Sequence, residues 1–476
     1  MLNRRTFIAA LAAASAAPLR AQSLSLTPAA IQRDLDILRE SLRALHPGLF
    51  RYQMPAAFDR RFRALRAWAG NPRTLPQLFV ALARFTAPIS CGHTFPNPNN
   101  QPRRAREALF AGRDRIPFAF TWLNGRMIVT RPLADVPLRP GDEVTALDDV
   151  PVRRILAALL PLARADGGND AKRLAQMTVL GRSRFESFDV YRPLLFPPPQ
   201  PGRVRVSLRD RNGIWLPAMT ETERQAGTAG NEDPQWRFAL SDGIGRLVTP
   251  TWALYDSAFD WRAFLNDAMA RLVRERARAL IVDLRGNEGG LDCGDPILAG
   301  LIDRPLAKPA FRSRVRYRAA PEALRPFLST YNESFFDWGA RAVGPEADGL
   351  YTLTDRAANA TLAPVAPRFS GRLIVLADAT NSSATFNFLQ IVKDNHLGTI
   401  LGQPSGGNRR GLNGSAYFFL RLAETGLEVD IPLIGEFPLT PQPDAGIVPD
   451  IAVTPSRADI AAGRDPAMER ALALFA

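Results

Sequence analysis

The chain has 476 residues, 46% of them apolar and 22% charged. That is ordinary globular usage, enough for about three structural units and a sizeable core, and it excludes a disordered chain. The formal charge is +13, but lysine is confined to Lys172, Lys308 and Lys393, and the arginines are spread along the chain rather than gathered into a stripe. Nucleic acid is therefore not an expected partner.

Residues 1–22 read as an export signal. Paired Arg4-Arg5 precedes Phe7-Ile8 and an alanine-rich run too short for a ~30 Å bilayer core, and Leu19-Arg20-Ala21 offers a small residue for cleavage. The order Asn3-Arg4-Arg5-Thr6-Phe7 resembles a twin-arginine signal, with a plain secretory signal as the alternative. The expected location is periplasmic or secreted, in a bacterium. No later run of ~18 uninterrupted apolar residues exists, so no membrane span is expected in the mature chain. An oxidising compartment permits either a bridge between Cys91 and Cys293 or two free thiols.

Residues 23–112 read as a helical domain. Thr27-Pro28 caps a helix on which Ile31, Leu35, Leu38, Leu42 and Leu45 recur at spacings of three and four. Amphipathic segments follow at Phe58–Trp68 and Leu75–Phe85, and the domain ends in Ser90-Cys91-Gly92-His93-Thr94 and a Pro/Asn-rich loop. Residues 113–165 read as a small β unit: apolar runs flank the hairpin signal Asn124-Gly125, and Pro140-Gly141-Asp142 leads into a strand and a helix. This stretch resembles a PDZ-type module, which binds extended peptides by strand addition. Residues 166–240 form a weakly patterned connecting segment. From 241 to 456 strands and helices alternate, which predicts an α/β core. A Pro- and Arg-rich insertion at 302–370 is expected to cover or line a site, its arginines pointing to peptide carboxylates. A C-terminal helix is expected at 457–476.

Two segments carry the chemistry. In the first, the buried strand Ala279–Asp283 runs into Leu284-Arg285-Gly286-Asn287-Glu288-Gly289-Gly290, where glycines let amides turn outward, as a developing oxyanion requires. The glycines do not match G-x-G-x-x-G. In the second, Leu376–Ala379 leads into Thr380-Asn381-Ser382-Ser383-Ala384 at a helix start. A hydroxyl there lies near free amides and the positive end of the helix dipole, although a cap is the commoner use of such a residue.

Together these segments resemble the S41 serine peptidases, which include the carboxy-terminal processing proteases and the tricorn core. Leu401–Gly407 and Gly446–Ile451 are similar to further landmarks of that family. The resemblance covers residues 240–455 and implies a crotonase-like (ClpP/crotonase-type) S41 core, set behind the N-terminal helical domain and the PDZ-like β module. It implies Ser383 as nucleophile, with an oxyanion hole formed by the Ala384 amide and an amide of Gly289 or Gly290. Processing proteases place a lysine where Asn408 stands, and Phe386 replaces the usual glutamate. Lys393, ten residues along the helix, would be ~15 Å away and His396 ~20 Å. Lys172 and Lys308 lie outside the motifs, and His46 reads as a packing or capping residue. His93, in a "GHT" setting similar to tricorn-like members, is the implied base. Asp444 is the first candidate to orient it, with Asp430 and Glu436 as rivals and Ser90 or Thr94 as relays.

If His93 and the glycine turn converge on Ser383, Cys91 and Cys293 come near one another and a bridge between them is expected. The expected activity is exported serine endopeptidase chemistry on a peptide or protein, with no cofactor and no metal, since three scattered histidines do not suggest a metal site. A silent peptide- or ligand-binding protein of the same fold is the alternative. Cys91 as nucleophile and a crotonase-type acyl enzyme rank lower, and no G-x-S-x-G or H-E-x-x-H sequence occurs.

Overall fold

The computed structural model describes residues 25–211, 213–226, 235–356 and 360–475. The export signal expected at residues 1–22 lies outside them. No helix among the described residues is long and apolar enough to cross a membrane.

Three helices open the described chain: Pro28–Leu45, Pro55–Trp68 and Leu75–Thr86. The first begins as its sequence dictates. Thr27 accepts from the Ala30 amide, proline takes the first turn, and Ile31, Leu35, Leu38, Leu42 and Leu45 are buried along one face. The third starts with a capping box between Thr74 and Gln77.

An antiparallel sheet follows, with Phe118–Leu123 paired to Arg126–Pro132 through a turn in which Asn124 and Gly125 both take positive φ. Glu143–Leu147 joins next. The sheet does not stop at residue 165. Arg203–Leu208 pairs with Glu143–Leu147 and with Ile214–Pro217, so the weakly patterned segment completes this layer. The same segment also holds the helices Asp170–Gln176 and Ser187–Leu195.

The core sheet is parallel apart from one edge. Its order is Ile451–Ala452, Thr399–Gly402, Arg372–Ala377, Ala279–Asp283, Ile244–Val248 and, antiparallel at the rim, Arg237–Ser241. The central strand Ala279–Asp283 is buried throughout. Helices Trp261–Arg274 and Ala384–Asp394 supply apolar side chains to one core with this sheet. Ala467, Ala471 and Phe475 join a second core with Ile281 and Ile374. The expected C-terminal helix is two short ones, Arg457–Ala461 and Pro466–Ala473, separated by a turn in which Gly463 takes φ 66°.

A third sheet is antiparallel. The insertion supplies Phe311–Val315, Leu328–Ser329, Ala342–Val343 and Tyr351–Leu353, which assemble with Asn413–Arg421 and Glu428–Pro438. The described part of the insertion thus supplies strands to this sheet, and Lys308, Phe311, Ser313 and Tyr331 from it line the cleft described next.

Candidate active site

In the core sheet Leu376 lies opposite Asp283, so both strands deliver their following turns to one end of the sheet. That is where open parallel sheets place their sites. The two turns are clasped by buried amides. Asn381 Nδ2 donates to the Leu284 and Asn287 carbonyls at 2.6 and 2.9 Å, and Asn287 Nδ2 donates to the Thr249 carbonyl at 2.7 Å. The Gly286 amide donates to Asp378 at 3.0 Å.

Ser383 stands at the head of the helix Ala384–Asp394 with φ 54° and ψ −127°, a region that L-residues rarely occupy, and its hydroxyl does not cap the helix. The N-cap side chain therefore leaves the first-turn amides of this helix uncapped. The glycine turn approaches within contact distance. A Cβ on Gly289 would lie 2.9 Å from the Ala384 nitrogen and 2.9 Å from Ser383 Cβ, so only glycine fits. The Gly289 amide is already used, donating to Asn287 Oδ1 at 2.9 Å. Gly290 lies against the Trp252 backbone, where a Cβ would sit 2.1 Å from the Trp252 carbonyl oxygen.

Ser383, Ala384, Gly289, Gly290 and His93 line one cleft of about 1260 Å³. The early loop and the late helix therefore share a surface. His46 and His396 do not line the cleft. His46 caps the first helix and pairs through Nε2 with the Thr94 hydroxyl at 2.8 Å. The His93 ring is held over Tyr417 at 6.0 Å between centroids, and its Nδ1 is buried without a hydrogen-bond partner. No hydrogen bond joins the ring to Ser383. Burial lowers the His93 pKa below 6.5, and nearby Arg164 and Lys172 push the same way against the opposing pull of Asp166 and Glu288.

Asp444 does not line the cleft. Its Oδ1 accepts from the Asn408 side chain at 2.6 Å and from the Gly168 amide at 2.9 Å, an arrangement that pins the 166–168 loop. Ser90 and Thr94 are also off the cleft, whereas Asp430 and Glu436 line it. Asp430 accepts from Asn97 and Asn100 and is pushed up to about 6, chiefly by burial. The acidic group beside His93 is one that sequence reasoning passed over: an Asp166 carboxylate oxygen lies within 4.8 Å of a His93 ring nitrogen and of the Cys91 sulfur. Asp166 also accepts from the Gly92 amide at 2.9 Å.

Lys172 was also placed outside the motifs by sequence, yet its ammonium lies in the site. It donates to Glu288 at 2.9 Å, to the Thr380 carbonyl at 2.8 Å and to Ser382 Oγ at 3.3 Å. Burial favours a protonated Glu288, but Lys172 and Arg164 overcome it and hold the carboxyl at about 2.

The expected disulfide is not formed: Cys91 and Cys293 are free and buried. Cys91 packs in the core that the opening helices share with both antiparallel sheets, where Asn413 Nδ2 lies 3.5 Å from its sulfur. Cys293 packs in the core beneath the glycine turn. Convergence of the two loops on one cleft leaves the sulfurs in separate cores.

The sequence profile of peptidase family S41 matches residues 243–429. Among solved structures, mature CPAF complexed with lactacystin is similar at 16% identity and TM-score 0.60, over 94% of this chain and 97% of that one. A CPAF mutant is similar at 15% identity and TM-score 0.59, over 91% and 94%. At such identities the likeness shows the fold. No curated protein sequence matches the chain.

Proposed function

Residues 243–429 make this chain a member of peptidase family S41, and on that premise we propose that it is an exported serine endopeptidase working through Ser383 and His93. The observation that carries this reading is the strained Ser383 at an open helix head, facing the same cleft as the only histidine that lines it. Ser383 Oγ attacks the peptide carbonyl. His93 takes the hydroxyl proton and returns it to the leaving amine. Its lowered pKa keeps the imidazole neutral near pH 7, the form a base needs.

In this reading the oxyanion is held by the Ala384 and Gly290 amides, because the Gly289 amide is spent on Asn287. Asp166 replaces Asp444 as the group that orients His93, since it is the carboxylate beside the ring. The antiparallel sheet around the Asn124-Gly125 hairpin is read as the PDZ-like module, presenting peptide to the cleft by strand addition. The leader at residues 1–22 supports a periplasmic or secreted location.

Fluorophosphonate labelling tests the proposal. The wild-type chain should be labelled at Ser383, with labelling abolished in Ser383→Ala and reduced about 10³-fold or more in His93→Ala. The missing hydrogen bond between His93 and Ser383 favours the second reading, a silent peptide-binding protein. A well-folded wild type that resists labelling would establish that reading instead.

A further inference from the structure

Cys91, His93 and Asp166 each offer one donor atom, and the three atoms lie within 4.8 Å of one another. The set is mixed: a thiol, an imidazole and a carboxylate. His93 and Asp166 line the cleft, while Cys91 lies buried behind them. The His93 Nδ1 is a buried polar atom with no partner, which is costly unless something binds it. Sulfur, nitrogen and oxygen donors suit a thiophilic divalent cation, and three protein ligands with a fourth position open suit zinc. Bond lengths of 2.0–2.3 Å put zinc donors roughly 3–4 Å apart, so side-chain rotations of about 1 Å would close the site.

We propose that Cys91, His93 and Asp166 bind one zinc ion, and that the bound ion reversibly inhibits the enzyme by taking His93 away from Ser383. The thiol proton leaves to solvent as the sulfur–metal bond forms, and no redox change is involved. The inhibition arm rests on the serine-peptidase reading; the binding arm does not.

Binding is measured on the Ser383→Ala chain, which needs no activity. Titration with Co²⁺ should saturate at one equivalent and produce a thiolate-to-cobalt charge-transfer band, and Zn²⁺ should displace it. Cys91→Ser should remove the band, Cys293→Ser should retain it, and Asp166→Asn should weaken binding about 10-fold or more. If Cys91→Ser fails to fold, alkylation of the native-sequence chain decides: zinc should protect Cys91 and leave Cys293 unchanged. Absence of the band, its dependence on Cys293, or no protection of Cys91 would overturn the site. The inhibition arm is read with the fluorophosphonate. Labelling of Ser383 should slow with zinc and recover with chelator, and the ratio of the two rates should approach one in Cys91→Ser. Zinc binding to a chain that is never labelled would sink the peptidase reading and leave the metal site standing. Zinc that binds without changing the labelling rate would sink the inhibition.

Discussion

The side-chain amide of Asn381 donates to the backbone carbonyl of Asn287 at 2.9 Å, and that bond holds the serine turn and the glycine turn as one body. The same nitrogen also satisfies the Leu284 carbonyl, and the Thr385 hydroxyl adds a further bond to Asn287 at 3.1 Å. Truncation in Asn381→Ala removes both donations and leaves the Asp378 amide, which donates to Asn381 Oδ1 at 2.8 Å, without its acceptor, at a cost of about 1–3 kcal/mol. Urea unfolding should register that loss. Labelling of Ser383 should fall about 10²-fold, the scale on which misplacement by ~1 Å acts.

Ser383 pays for its position with backbone strain. At φ 54° and ψ −127° glycine is at ease and alanine is not. Ser383→Gly should therefore melt higher than Ser383→Ala, the difference reflecting about 1–2 kcal/mol. Both variants should be unlabelled. Equal melting temperatures would mean that the residue is not strained.

Burial sets the direction of the pH profile. The His93 pKa is lowered from 6.5, and the neutral ring is the active form. Labelling should fall on acidification with a midpoint below pH 6.5. Asp166 pulls the His93 pKa upward, so Asp166→Asn should move the acid limb to still lower pH while the plateau drops. A limb centred above 6.5, or one that moves up in the variant, contradicts this assignment.

Lys172 and Glu288 give a second pH signature. The Glu288 carboxyl titrates at about 2 in the fold against an ordinary value of 4.5. Its stabilising contribution is present above 4.5 and is lost as pH falls through about 2. Lys172→Met removes the nearer cation and orphans the Thr380 carbonyl. The cost at neutral pH should be about 1–3 kcal/mol, a figure reduced because the Glu288 side chain is 45% exposed. The deficit should shrink as pH falls from 4.5 toward 2, as read by circular dichroism.

Local signals made much of this legible in the sequence. The first helix announces itself by cap, proline and apolar spacing, and the two turns by glycine and serine placed after buried strands. Ser383 and His93 were readable because each sits in a short motif. Asp166 and Lys172 were not, because they come from a segment with no motif and reach the site only when the 166–168 loop docks on Asn408 and Asp444. Asp444 looked catalytic because it lies beside a family landmark, yet its oxygens serve the loop. The strands Arg203–Leu208 and Ile214–Pro217 were hidden behind Pro197-Pro198-Pro199, although Val204, Val206 and Leu208 alternate as a half-buried strand should.

The imidazole arrives from the opening helices, more than a hundred residues ahead of the region that the family profile covers. A fragment beginning at residue 235 would keep the hydroxyl and the glycines and have nothing to accept the proton. In the proposed reading, catalytic competence is therefore a property of the seam between the two halves, which also share one hydrophobic core.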